Sequence, residues 1–362
     1  MPSKMMREQN VPGFPLGGLP IAVQHAVFKT MEGPCLVALS CVSPKWSNSI
    51  KAAKIPYKYC EVCIKNKSLM ILIDFGRKAT QVKLEIKGKK EGREKRDFKT
   101  AIPSNIKILE VERRGRIVAS WKNTTGGLES WIKHVFGLFN VSKIYTMSIE
   151  NPFFSAPSIR EAFDGIYIDA IDFLWVSDRD ARSILSKIPK AEDVTFSNGM
   201  FMKNDIYNKM ETMKTLCENY RSVVIYNFFS KDLDYLLATN ATFIKIYENE
   251  FTFEILNRFI KLWIKGSNRR LELMEISIKG RMTEDDAQNQ GDKGLLKGIK
   301  YQRVEHNTDE IVRVPYGECG ASKVRVFSGG FRIFNKFGLS ATLHLKTLRG
   351  QDCTLVYFHC LP

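Results

Sequence analysis

The sequence predicts an α/β chain: a three-helix unit over residues 14–52, then one long βα-repeat domain over 53–362 with antiparallel strands at both ends of the repeats. Three observations predict it. Between Phe14 and Ile50, Pro20, Pro34 and Pro44 each precede an apolar-rich run, and proline is favoured at the first helical position, where its missing N–H removes a donor that would be unpaired anyway. From Leu128 to Ile278, strand-like runs alternate with runs of helical periodicity. On either side, at 57–121 and again from Val324, short strand-like runs follow one another with turn residues between them.

Residues 1–13 are polar, with Pro2, Pro12 and Gly13, and read as a disordered tail. In the next stretch, apolar residues such as Val23, Val27, Leu36, Leu39 and Trp46 are too many for one side of each helix to hide. A segment this short seldom stabilises a core alone, so it must pack on the rest of the chain or offer an apolar face to a partner. Ser43 stands before Pro44 as an N-cap should.

After this unit, strands are expected at Tyr57 to Ile64, Leu69 to Phe75, Val82 to Ile86, Ile106 to Val111 and Ile117 to Trp121. The run from Lys87 to Lys99 mixes both charges with two glycines and one aromatic, Phe98, which reads as a solvated loop and not as a nucleic-acid strip. A helix holds Leu128 to Phe139, followed by strand Ile144 to Ile149. The alternation continues with strand Ile171 to Ser177, a helix stopping at Pro189, strand Asp193 to Ser197, and a helix opened by Asn204-Asp205, with Met210 and Met213 at core spacing. Then come strand Ser222 to Phe228, a short helix that Ser230 can cap, strand Thr242 to Glu248, and a helix from Phe253 to Trp263 with Gly266 at its C′ position. Strand Leu271 to Ile278 completes the series.

Strand midpoints recur every roughly 20 to 30 residues, the range of a leucine-rich-repeat-like βα solenoid. The leucine-rich consensus is absent, so only the geometry follows: parallel strands with helical crossovers on one face. Past Gly280 a polar loop leads to strands separated by glycines at Gly329-Gly330, Gly338 and Gly350. These read as an antiparallel cap on the open end of the parallel sheet.

Composition limits the function. The chain has 362 residues, 44% of them hydrophobic, which places it among globular proteins. A formal charge of +16 favours acidic partners without choosing among nucleic acid, anionic lipid and acidic peptide. No apolar run has the length of a membrane span, and the first residues lack the apolar core of a signal peptide, so cytoplasmic or nuclear residence is expected. Eight cysteines without framework spacing read as free thiols. The lone pair Cys60 and Cys63 would point to opposite faces of a strand, so no metal or other cofactor is expected there.

Catalytic signatures are missing. The five histidines, His25, His134, His306, His344 and His359, have no helical zinc spacing, and no nucleophile elbow or phosphate-binding glycine loop occurs. Asp169 with Asp172 and Asp178 with Asp180 read as strand-end and helix-start residues. A non-catalytic protein is the reading.

Two regions carry a resemblance. Phe14-Pro15-Leu16, Leu19-Pro20, the spaced Val23 and Val27, the Leu36 to Leu39 run, Val42-Ser43 and Trp46 together resemble the F-box, the adaptor-binding motif of cullin-based ubiquitin ligases, in the form found in nematode families. Arg258 to Gly280, with a Trp-bearing helix, a Gly-Ser-Asn turn and a Leu-Glu-rich strand, resembles the signature of the type-2 F-box-associated domain, although Arg269-Arg270 stands where that family often has proline. The resemblance implies the substrate-recognition subunit of an SCF-type E3 ubiquitin ligase. The Skp-type adaptor, and through it a cullin, would meet Phe14, Leu16, Leu19, Pro20, Val23, Val27, Leu36, Leu39, Val42 and Trp46, and the repeat domain would hold a protein target. The alternatives are a non-ligase interaction module of the same fold and a basic nucleic-acid-binding protein.

For the target, period-two alternation is the guide. If Leu174 with Val176, Val194 with Phe196, and Ile244 with Ile246 meet the helices, then Phe173, Trp175, Lys245 and Tyr247 face away. That partly aromatic, partly basic face would be the substrate-binding surface.

Overall fold

The protein is described by a computed structural model covering residues 16–65, 68–76, 79–86, 97–98, 101–111, 116–122, 126–150, 154–186, 191–197, 206–228, 230–283, 286, 294–315, 322–347 and 352–361. The expectations for the 1–13 tail, most of the Lys87 to Lys99 run, and the helix start at Asn204-Asp205 lie outside these residues.

Three short helices come first: α1 (Ile21–Thr30), α2 (Gly33–Ser40) and α3 (Pro44–Ala52). Pro44 opens α3, Pro34 lies in the first turn of α2, and Pro20 directly precedes α1. Ser43 Oγ accepts from the Trp46 N–H at 3.4 Å, the expected cap. A wing of antiparallel strands follows, β1 (Tyr59–Lys65), β2 (Ser68–Asp74), β3 (Ala79–Ile86), β4 (Pro103–Val111) and β5 (Arg116–Lys122), each paired with the next.

Helix α4 (Leu128–Phe139) carries the chain back to β6 (Lys143–Glu150), which pairs parallel with β1. Strand and helix then alternate: α5 (Ala156–Ala162), β7 (Tyr167–Leu174), α6 (Asp178–Leu185), β8 (Asp193–Ser197), α7 (Ile206–Leu216), β9 (Ser222–Phe228), α8 (Leu233–Ala238), β10 (Phe243–Asn249), α9 (Phe253–Ile264) and β11 (Leu273–Lys279). Strands β6 to β11 pair in parallel and in order. The chain next crosses to the far edge and returns through β12 (Gln302–Pro315), β13 (Ser322–Phe334), β14 (Ser340–Thr347) and β15 (Cys353–Leu361), with β15 antiparallel to β11. Among the described residues all fifteen strands form one sheet, in the order β12-β13-β14-β15-β11-β10-β9-β8-β7-β6-β1-β2-β3-β4-β5.

The helices cover one face. Met274, Ile276 and Ile278 of β11 share the main core with Leu256, Phe259 and Trp263 of α9, whereas Leu273, Phe327 and Tyr357 form a separate cluster on the other face. The N-terminal helices belong to the main core: Phe28, Leu36, Val37 and Ile50 are fully buried in it. Helix α2 packs so closely on the sheet that a Cβ on Gly33 would come within 2.1 Å of Thr80 Oγ1. A 2.9 Å hydrogen bond between Ser40 Oγ and His134 Nε2 ties α2 to α4.

Several elements depart from the sequence reading. Helix α5 and strand β12 were not anticipated, although Ser155 caps α5 by accepting from the Ser158 N–H and the signal was there. Met210 is 63% exposed and not in the core. Gly329-Gly330 does not join two strands but lies inside β13, both residues with positive φ. Residues past this kink pair with β14, whereas Ser322–Ser328 pair only with β12. The outer half of the β12–β13 hairpin is therefore an arm that leaves the sheet and folds over its helix-free face. Gly330 permits this, because a Cβ there would lie 2.5 Å from the Leu343 carbonyl oxygen.

Candidate functional site

Two surfaces are candidates, the outer side of the N-terminal helices and the helix-free face of the sheet. On the first, Ile21 and Val42 are 70% and 71% exposed and Val23 is 44% exposed. Leu16, Leu19, Val27, Leu39 and Trp46 are half-buried around them, and Pro20 is exposed. Trp46 is fixed by an edge-to-face contact with Phe28, ring centroids 6.1 Å apart. Gln24 Nε2 donates to the Leu19 carbonyl at 2.8 Å, closing the turn that leads into α1. Leu36, expected to meet a partner, is instead buried: α2 uses it with Val37 to pack on the sheet. Phe14 lies outside the described residues. Ile21, at the first turn of α1, is instead an outward apolar residue; it lies two residues from Val23 and so off the Val23–Val27 face, and helical spacing gave no signal for it.

The register of the helix-free face runs straight across the middle strands. Cys63, Ser148, Asp172, Thr195, Val224, Lys245, Glu275, Tyr357 and His344 lie side by side on nine successive strands. Cys60, three residues from Cys63, points into the main core, as the offset required. Small and polar side chains occupy this row from β1 to β9, and large charged and aromatic ones from β10 onward.

That second half is a buried polar cluster. Glu275 is 1% exposed and sits 3.3 Å from Arg325 Nη2 of the arm. Arg325 Nη1 donates to the Tyr357 hydroxyl at 2.6 Å, while Phe327 stacks on His344 at 4.7 Å and packs against Tyr357 at 4.8 Å. Burial and the nearby Glu275 carboxylate push the Tyr357 hydroxyl up to about 12 and Tyr247 further in the same direction. Burial pulls Lys245 down, opposed by Glu275. These are the directions expected of desolvated groups.

The four expected target-site residues are placed unequally. Lys245 and Tyr247 do lie on the helix-free face, Tyr247 stacked on Tyr226 at 5.1 Å, but Lys245 is only 6% exposed. Trp175 is 67% exposed. Phe173 is a correction: it points to the helices, is 1% exposed and stacks on Phe196 at 5.7 Å, while Leu174 faces away. Trp175 is the cause. Its φ of 56° is left-handed, so the backbone turns over between Leu174 and Val176, and alternation traced backward from Val176 gives the wrong face. Asn227 and Glu248 hold the same conformation at φ 54° and 49°, and they too turn Phe228 and Asn249 inward.

Among the described residues no group of three His, Cys, Asp or Glu side chains could hold a metal ion, and no helix is long and apolar enough to cross a membrane. His134 bonds Ser40 but burial lowers its pKa and Ser40 Oγ already donates to the Val37 carbonyl, so that pair fastens two helices together.

Residues 211–276, from α7 into β11, match the family model described as F-box associated. No curated protein and no solved structure matched the chain.

Proposed function

Taking the chain as an F-box-associated protein, we propose that it is the substrate-recognition subunit of a cullin-RING, SCF-type ubiquitin ligase. The N-terminal helices would dock on a Skp-type adaptor and the sheet domain would hold a protein target near the ubiquitin-loaded conjugating enzyme, so that the chain accelerates transfer by proximity alone. The observation that carries this reading is the order of two features in one chain: an outward apolar set, Ile21, Val23 and Val42, on a short helical unit, ahead of the F-box-associated segment.

Apolar anchors at the centre of an interface typically cost about 2 kcal/mol or more when removed. Val23→Asp with Val42→Asp should therefore abolish co-purification with the adaptor. Both residues lie outside the core, so the melting temperature should hold. Undiminished co-purification would remove the ligase reading and leave a protein-interaction module of the same fold.

A further inference from the structure

The sheet carries a cleft on the side where the parallel strands begin. It has a volume of about 590 Å³ and lies between the starts of β10 and β11, the β13–β14 turn and the arm. Its lining is mixed but mainly apolar: Phe243 and Leu273 with Leu339 and Ile311, 41% and 70% exposed, beside the polar Thr242 and His359. Arg269 and Arg270 stand on its rim.

Both guanidinium groups are held in place by neutral partners. Arg270 Nη1 donates to Asn219 Oδ1 at 2.6 Å and to the Asn240 carbonyl at 3.2 Å. Arg269 lies over the Phe337 ring at 4.4 Å, and Lys336 lies 4.9 Å from the centre of the same ring. The seat for these cations is built by Gly266, where a Cβ would meet Phe337 at 2.6 Å and Lys336 at 2.8 Å, and by a 2.8 Å bond from the Lys336 N–H to the Ile264 carbonyl. Among the described residues none of the three cations is in a salt bridge, and the one carboxylate on the cleft wall is Glu272.

Three immobilised like charges beside an apolar cleft form a surface that a complementary anion would relieve, with little ordering cost left to pay on the protein's side. The geometry points to an acidic segment of a target protein as the occupant: an aliphatic side chain enters the cleft and flanking Asp or Glu carboxylates meet Arg269 and Arg270. A nucleic acid fits less well, because the rings at the cleft are already engaged: Phe337 carries two cations and Phe243 is half-buried against the Leu273, Phe327 and Tyr357 cluster, which leaves little for bases to stack on. The occupant's role as a ligase target rests on the function proposed above; the cleft's preference does not.

The test is selection of a displayed library of random twelve-residue peptides on the full chain, with adaptor co-purification measured in parallel. Enriched peptides should carry an aliphatic residue flanked by two or more carboxylates. R269E/R270E should weaken their binding by roughly tenfold or more and R269K/R270K should weaken it less, since lysine keeps charge but not the planar fork. L339D should also lose binding, and because Leu339 is exposed its melting temperature should not fall. Enrichment of basic or uncharged peptides, no enrichment, undiminished binding to R269E/R270E, or tighter binding of a twelve-nucleotide single strand to the same arginines would each overturn the proposal. Loss of adaptor co-purification with acidic enrichment intact would instead count against the ligase reading alone.

Discussion

The two antiparallel wings flank the same parallel centre yet bury themselves differently. In the β2–β5 wing, exposure alternates residue by residue along β2 and β3: one face is under the helices, the other is open. In the opposite wing, Ala341 to His344 of β14 and Val356 to Phe358 of β15 are buried without interruption, because α9 covers one face and the arm the other. A sheet covered once reads as alternation and a sheet covered twice reads as a continuous run. What distinguishes the wings is one kinked hairpin.

The sharpest test removes a ring from the second face. Tyr357→Ala should cost about 3–5 kcal/mol in urea unfolding, as for other large buried aromatics, whereas Leu72→Ala, on the open face of the first wing, should cost less than about 1 kcal/mol. Equal losses would mean that the arm does not shield its wing.

The wings also depend on one glycine each, with different room to adjust. Gly330→Ala should cost about 3 kcal/mol, since it meets a backbone oxygen and forces a left-handed φ. Gly33→Ala meets the side chains of Thr80 and Phe75, which can move, and should cost about 1–2 kcal/mol. Reversal of that order would show the arm to be the more pliable contact.

Tyr357→Phe is gentler, with an expected loss of about 1 kcal/mol at neutral pH for one hydrogen bond. Its signature lies at high pH. The folded hydroxyl titrates above its unfolded value of about 10, so its contribution is full below that value and is lost as pH rises through about 12. The substitution should flatten the alkaline fall in stability, and an unchanged slope would show that this hydroxyl does not drive it. The smallest effect belongs to Trp175→Ala, within about 0.5 kcal/mol in the same urea unfolding, because the residue is 67% exposed.

Much of the fold was legible. Strands β8 and β9 have the expected bounds, Ser43 caps α3, and Gly266 ends α9 in the left-handed conformation at φ 101°. These features are local, so a few adjacent residues encode them. Phe173 was misassigned because alternation assumes extended backbone throughout, and a tryptophan gives no hint that it will turn left-handed. The resemblance implies a partner contact at Leu36, but an apolar residue in a motif does not say which neighbour receives it, and here the sheet does. The cleft was beyond reach for another reason: Phe243, Arg270 and Leu339 come from separate parts of the chain that the strand order brings side by side, and only the folded-back arm adds Ile311.

The position of β15 between β11 and β14 also shapes how the molecule can form. Strands β1 to β5 pair with immediate neighbours in sequence, so that wing can close early through contacts of low sequence separation. Strand β11 has no such option, since its open edge is matched by a strand that arrives only after three others have been laid down. Until then it presents unpaired backbone donors and acceptors beside the apolar Leu273, Met274 and Ile276, a template for pairing with other chains. The slowest and most aggregation-prone step of folding is expected to be the insertion of β15, and a chaperone that shields one strand edge would speed the recovery of the whole protein.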